Sequence, residues 1–332
     1  NNIINVDSAS GGKSGVGLYI NFGKVDTAST STINVGSSSS LGNGTGIYAI
    51  SSDIKNRSSI NLNAKDSVGI LSYAYKVLDE NGNILENEFS TATNSITPAS
   101  YTSTVLNSGV ITTNLDSSFG IYMNNNSVDS DDILNHKDET QFVATNQGTI
   151  NTKGKSSAGM IANHATVINE GFINVEGDES AGIFGDKQSL LKDVPSTALL
   201  ENRGVINLKS KSSAGILNDS EDVNSKVIMS GTINSDVIAD GSVGISAKTI
   251  DVIGGATIDL KSSKSAGVYA DGSVANIGNL AKFDMGGDES TYVYINNINN
   301  PSTINWNHAS QALLQDISVG VYAEKNANNL PN

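Results

Sequence analysis

Apolar and polar residues alternate along this chain in short bursts rather than long runs. "FINVE" (172–176) and "AGIFG" (181–185) each place an apolar or small residue at every second position, and "ATVIN" (165–169) and "ALLEN" (198–202) do the same. A period of two over four or five residues predicts strands. The bursts are too short for helices. Gly, Ser and Asn separate them, which are residues that favour turns.

The bursts recur in register. A glycine in the phrase "S-x-G-[aliphatic]" marks the repeat at Gly17, Gly46, Gly69, Gly120, Gly159, Gly182, Gly215, Gly244, Gly267 and Gly320, with glycine in place of the serine at the first two. Tyr292 takes the same place once without the glycine. The steps 46 to 69, 159 to 182 and 244 to 267 are each 23 residues. A second phrase, "N-x-G-x-I-N", accompanies the first at 107–112 (ending in Thr112), 146–151, 169–174 and 202–207, with looser copies at 56–61, 229–234 and 300–305. From its apolar residue to the next marker is nine residues in seven copies, beginning at Ile60, Ile111, Ile150, Ile173, Ile206, Ile258 and Phe283.

One 23-residue unit thus holds three short strands and cannot bury its own apolar face, so it must stack on its neighbours. The prediction is an all-β chain wound as a right-handed parallel β-helix of about eleven coils, roughly 50 Å long at ~4.8 Å per coil. Residues 1–332 form a single domain in this reading. Ile173, Val175, Ile183 and Gly185 point inward. Gly182 supplies either a corner conformation or a close approach of backbones. Asn174 stacks with Asn34, Asn61, Asn151, Asn207, Asn234 and Asn305 as an amide ladder running from coil to coil.

Composition narrows the function. The formal net charge is −14, with only two arginines, Arg57 and Arg203. That argues against nucleic acid, which needs clustered cations to meet phosphates. The chain has no cysteine, so disulfides and thiolate metal sites are excluded. No run of 18 apolar residues offers a membrane-spanning helix, and direct membrane insertion by this segment is not expected.

Motifs that suggest chemistry fit the repeat better. "GGKSG" (11–15) and "GKSS" (154–157) lack the upstream glycine of a phosphate loop; Asp7 and Thr149 stand there. "GDES" occurs at 177–180 and 287–290, each time just ahead of a marker, and no His–Asp partner accompanies it. Arg57 and Arg203 fall at a variable turn position. His136, His164 and His308 are far apart in register. "LDENGNILE" (78–86) suits a hairpin turn better than a calcium loop, since its glycine is misplaced. No catalytic residue, metal or cofactor is expected, and the chain reads as a non-enzyme. The rival is a β-helical polysaccharide-degrading enzyme; a pure stalk is a third reading.

Function is expected where the repeat is interrupted. Measured from marker glycine to the next "I-N" residue, the baseline is 14, exceeded by 28 after Gly69, 16 after Gly120 and 10 after Gly182. The insertions lie at about 72–104, 124–141 and 186–198, all on one corner. Loops carried by a rigid scaffold commonly hold binding sites. The first carries Tyr73, Tyr75, Asp79, Glu80, Glu86, Glu88, Phe89 and Tyr101, and the second Asp129, Asp131 and Asp132. Aromatics among acids suit a basic protein surface. A second candidate is the residue following the marker's aliphatic: Tyr19, Tyr48, Tyr122, Phe184, Tyr269 and Tyr322. Alternation turns it outward, where the rings stack on sugars or on one another.

"NEGFINVEGDESAGIFG" (169–185) and "NRGVINLKSKSSAGILN" (202–218) resemble the passenger regions of autotransporter (type V secreted) adhesins, particularly the very large fusobacterial ones. The resemblance covers nearly the whole chain. It implies a β-helix displayed on the bacterial surface, anchored in the outer membrane through a barrel absent from this chain. It also implies contact with a protein or glycan of host cells or other bacteria. On this reading the chain is a piece of a longer passenger.

Overall fold

The computed structural model describes residues 2–6, 15–21, 23–36, 43–73, 103–125, 142–187, 196–222, 224–296, 302–306, 311–314 and 319–324. Its strands fall into three sheets of eleven, eleven and ten strands, and each strand pairs with its counterpart one repeat away. Every pairing is parallel; Thr149–Thr152 beside Phe172–Val175 in the first sheet, Ala158–Asn163 beside Ala181–Gly185 in the second, and Ala165–Asn169 beside Ala198–Asn202 in the third show the pattern for one coil. Three strands per turn make a parallel β-helix, and among the described residues there is no helix.

The core is built from columns of one residue type. Ile33, Ile60, Ile111, Ile150, Ile173, Ile206, Ile233 and Ile258 form a fully buried line down the first sheet. Ile47, Ile70, Ile121, Met160, Ile183, Ile216 and Ile245 face them from the second. Like stacks on like because successive coils present the same position at strand spacing.

The marker glycines have no positive φ, so the reason for them is closeness. A Cβ on Gly182 would lie 2.7 Å from the Gly215 carbonyl oxygen and 2.7 Å from Ile206 Cγ2, and one on Gly120 would lie 2.5 Å from the Gly159 oxygen. Where the glycine is lost, the surroundings change with it. Tyr292 turns into the core and packs edge-on to Phe283, their ring centroids 5.9 Å apart, with Trp306 5.3 Å from Phe283.

The serine of the marker phrase is equally explained. Ser67, Ser118, Ser157, Ser180 and Ser213 are buried, and the backbone N–H of each of the first four donates to the hydroxyl of the next, at 3.0–3.4 Å. The preceding residue is left-handed in coil after coil: Asp66, Ser117, Ser156, Glu179, Ser212, Lys264 and Glu289 have φ of 52–57°. Its N–H reaches the neighbouring coil, as from Glu179 to the Lys211 oxygen at 3.0 Å. Each "GDES" is therefore a turn plus a ladder serine, and the Ser180 hydroxyl donates to the Gly154 oxygen at 3.1 Å.

Two amide ladders run along the rod. The outer one links Asn5, Asn34 and Asn61, and then Asn151, Asn174, Asn207 and Asn234, by side-chain bonds of 2.8–3.2 Å. Asn305 does not belong to it. Thr303–Trp306 joins the third sheet, where Asn305 donates to Asn276 at 2.7 Å, and Gln311–Leu314 takes the place in the first sheet. The phrase at 300–305 matches in letters only: Ile304 does not hold the nine-residue step to the next marker.

The inner ladder uses the other asparagine of the "N-x-G-x-I-N" phrase. Asn56, Asn107, Asn146, Asn169 and Asn202 are fully buried, and each Nδ2 but the last donates to the next Oδ1 at 2.8 Å. Thr27 donates to Asn56 at one end, and Asn202 meets the Met229 sulfur at the other. The adjoining glycines again mark close approach, since a Cβ on Gly171 would sit 2.2 Å from the Gly148 oxygen.

Candidate functional site

The outward residue after the marker's aliphatic forms one continuous column down the second sheet: Tyr19, Tyr48, Leu71, Tyr122, Ile161, Phe184, Leu217, Ser246, Tyr269, Tyr294 and Tyr322. Toward both ends the rings stack on one another. Tyr19 and Tyr48 are 5.6 Å apart and 19° from parallel, Tyr269 and Tyr294 are 5.4 Å apart and 7° from parallel, and Tyr294 and Tyr322 are 5.2 Å apart. Within each stack the rings cover one another's faces, while Tyr19 and Tyr322 at the two ends stay exposed.

The centre of the sheet differs. A groove of ≈ 580 Å³ runs across three coils, over Ala158, Ala181 and Ala214. Ile161, Phe184 and Leu217 of the outward column line one side, and the left-handed turn residues Ser156, Glu179 and Ser212 line the other. Phe119 and Tyr122 close one end, set edge-to-face with centroids 6.2 Å apart.

Charge gathers where this strand leaves the sheet. Asp186 and Asp219 follow the paired residues Gly185 and Asn218, so they occupy the same place in consecutive coils. The Asp186 carboxylate accepts from the Tyr122 hydroxyl at 3.0 Å and from Asn163 Nδ2 at 3.4 Å. Burial, and then the Asp186 charge, push the Tyr122 hydroxyl well above the usual phenol range. Partial burial raises the Asp219 carboxyl; Lys187 opposes the shift and Asp186 adds to it.

The model for the BigA third pectate lyase-like domain matches residues 4–192, more than half of the chain. The chain belongs to this family. The BigA-type match takes in Tyr73, Tyr122, Asp186 and Lys187, and ends before Asp219. No curated protein and no solved structure matches the chain.

Against this BigA-type rod, the residues expected to bind divide sharply. Tyr73 ends a second-sheet strand, half-buried, its ring 5.6 Å from Tyr48; burial raises its hydroxyl and a hydrogen bond with Asn124 opposes the shift. Tyr75, Asp79, Glu80, Glu86, Glu88, Phe89, Tyr101, Asp129, Asp131 and Asp132 lie outside the described residues, as does "LDENGNILE". The strands bordering the three insertions are described. They end at Tyr73, Asn124 and Gly185 and resume at Ser103, Phe142 and Ala198, so residues 72–73, 103–104, 124 and 198 are strand rather than insertion. In each case the insertion joins the second sheet to the third.

Arg57 pairs with Asp26 at 2.7 Å and Arg203 with Glu170 and Glu201 at 3.0 and 2.8 Å, all on the surface. Such exposed pairs stabilise little. Sequence reasoning missed Asp186 and Asp219. The signal was present as "GIFGD" and "GILND", an acid at one register position of two successive coils.

Proposed function

We propose that this chain is a surface-displayed adhesin segment whose work is binding, not catalysis. A rigid rod holds one adhesive face, made of the central groove and the corner from which the insertions leave. The observation that carries the reading is their coincidence. The groove's charged rim, Asp186, Lys187 and Asp219, lies on the same corner of the coil as the borders of all three insertions. The family match and the adhesin-like repeat support display outside the cell. A protein or glycan of host cells or other bacteria is the partner class, and many weak contacts along such rods add avidity.

The test is binding of the purified chain to cultured cells and to bacteria, with a deletion of residues 74–100 as comparison. Lower binding by a deletion variant that still folds supports the reading. Unchanged binding by that variant removes the insertion from the adhesive face. A second reading, a polysaccharide-cleaving enzyme, draws on the paired carboxylates Asp186 and Asp219 in a groove. Release of reducing ends from polysaccharide, lost in Asp186→Asn, would establish it.

A further inference from the structure

The groove exists because of three alanines. Along the outward column ahead of the marker, the residues toward one end are Thr45, Val68 and Phe119, and beyond the groove comes Val243. Only in the centre do Ala158, Ala181 and Ala214 follow one another, so the surface drops over about 14 Å at ~4.8 Å per coil. Ile161, Phe184 and Leu217 give this trough an apolar side.

Its charged groups are mostly acidic, and its serines, among them Ser156 and Ser212, lie along the side away from the apolar wall. Asp186 and Asp219 are acceptors, and the one phenol beside them already donates to Asp186. Glu179 across the trough is engaged by Lys155 at 2.9 Å, and Lys187 is the one cation lining it among the described residues. A sugar laid across the trough would set ring hydroxyls against the apolar wall of Ile161, Phe184 and Leu217, where they lose water without partners. A hydrocarbon stem ending in a cation needs what the trough offers: an apolar bed, two carboxylates and an adjacent aromatic ring.

We propose that the trough docks an extended polypeptide segment of a partner protein, with an aliphatic side chain over Ala181 and an arginine or lysine reaching between Asp186 and Asp219. The inference rests on the adhesive-face reading and names the partner chemistry of that face. The state of Asp219 agrees with it. Partial burial and Asp186 disfavour its charge, and an arriving cation favours that charge. Binding therefore strengthens as pH rises through the raised carboxyl range.

The test is fluorescence anisotropy on the full chain at physiological salt, with a labelled hexapeptide alternating leucine and arginine. Its counterpart carries citrulline for arginine. Saturable binding is expected, weakened at least tenfold by citrulline, by Asp219→Asn combined with Asp186→Asn, and by Ala181→Phe, which fills the trough. Circular dichroism and denaturant midpoints identify variants that fold; Asp219→Lys is the alternative if Ala181→Phe does not. Equal binding of the citrulline peptide overturns the proposal, as does undiminished binding by folded groove variants. So does binding of chitohexaose, in place of the peptide, in a form that Ala181→Phe abolishes. Cell binding by the wild type that survives the groove substitutions refutes the docking inference but leaves the adhesive reading standing. Peptide binding without any cell binding refutes the adhesive reading alone.

Discussion

Replacing Asn169 by alanine should be among the most damaging changes to this rod. Asn169 is fully buried, accepts from Asn146 Nδ2 at 2.8 Å and donates to Asn202 Oδ1 at 2.8 Å. Its amide also reaches the Gly171 oxygen at 3.3 Å. Truncation strands a donor on one neighbouring coil and an acceptor on the other. Each stranded buried group costs about 1–3 kcal/mol, so the pair costs roughly 4 kcal/mol. Asn174→Ala breaks the analogous bonds of the outer ladder, where water can replace them, and costs about 1 kcal/mol. Urea unfolding followed by circular dichroism separates the two. At about 3 kcal/mol per M of urea the inner substitution lowers the midpoint by roughly 1.3 M and the outer by a few tenths. Position within the ladder matters as well. Asn202→Met moves the existing Met229 end by one coil and should be milder than Asn169→Met, which splits the ladder. An Asn169→Ala midpoint no lower than that of Asn174→Ala would refute the idea that buried amide stacking holds the coils in register.

Gly182→Ala should destabilise by about 2 kcal/mol in the same assay, since the new methyl collides with the Gly215 backbone and Ile206; an unchanged midpoint would mean that the coils move apart freely. Glu179→Gly should do the reverse and stabilise by up to about 1 kcal/mol, because glycine relieves the left-handed backbone at φ 55° and the lost Lys155 pair is exposed. A loss of stability there would show the surface pair to be the larger effect. Asp219→Asn should raise stability at neutral pH. Its folded carboxyl lies above the unfolded value, so ionisation opposes folding and wild-type stability falls as pH rises through that range. The benefit should vanish below the unfolded carboxyl range, where both side chains are neutral, and a pH-independent benefit would point to another cause.

Much of this architecture was legible in the letters, because a solenoid writes its spatial period directly as a sequence period. The marker glycines predicted the order of the second sheet. The nine-residue step predicted that of the first. Burial confirms the inward assignments of Ile173, Val175, Ile183 and Gly185. What stayed hidden were features requiring the third dimension. Both asparagines of "N-x-G-x-I-N" recur equally, and only the path of the chain decides that Asn169 is sealed in the core while Asn174 stays half-exposed. Asn305 misled because a short phrase can recur out of phase. The groove was least legible. Alanines at 158, 181 and 214 look like ordinary small residues of a stacked strand until the bulk of Phe119 and Val243 on either side makes them a depression.

Equivalence of the coils along one axis underlies the ladders, the groove and the adhesive corner alike, and a pair of spin labels tests it. The chain has no cysteine, so Thr32→Cys and Lys282→Cys provide the only labelling sites. These positions share the outward column of the first sheet, eight coil steps apart. Pulsed dipolar spectroscopy should give a narrow distribution centred near ~38 Å, at ~4.8 Å per step. A broad distribution, or a maximum below about 25 Å, would mean that letters 250 positions apart are not stacked as superimposed coils.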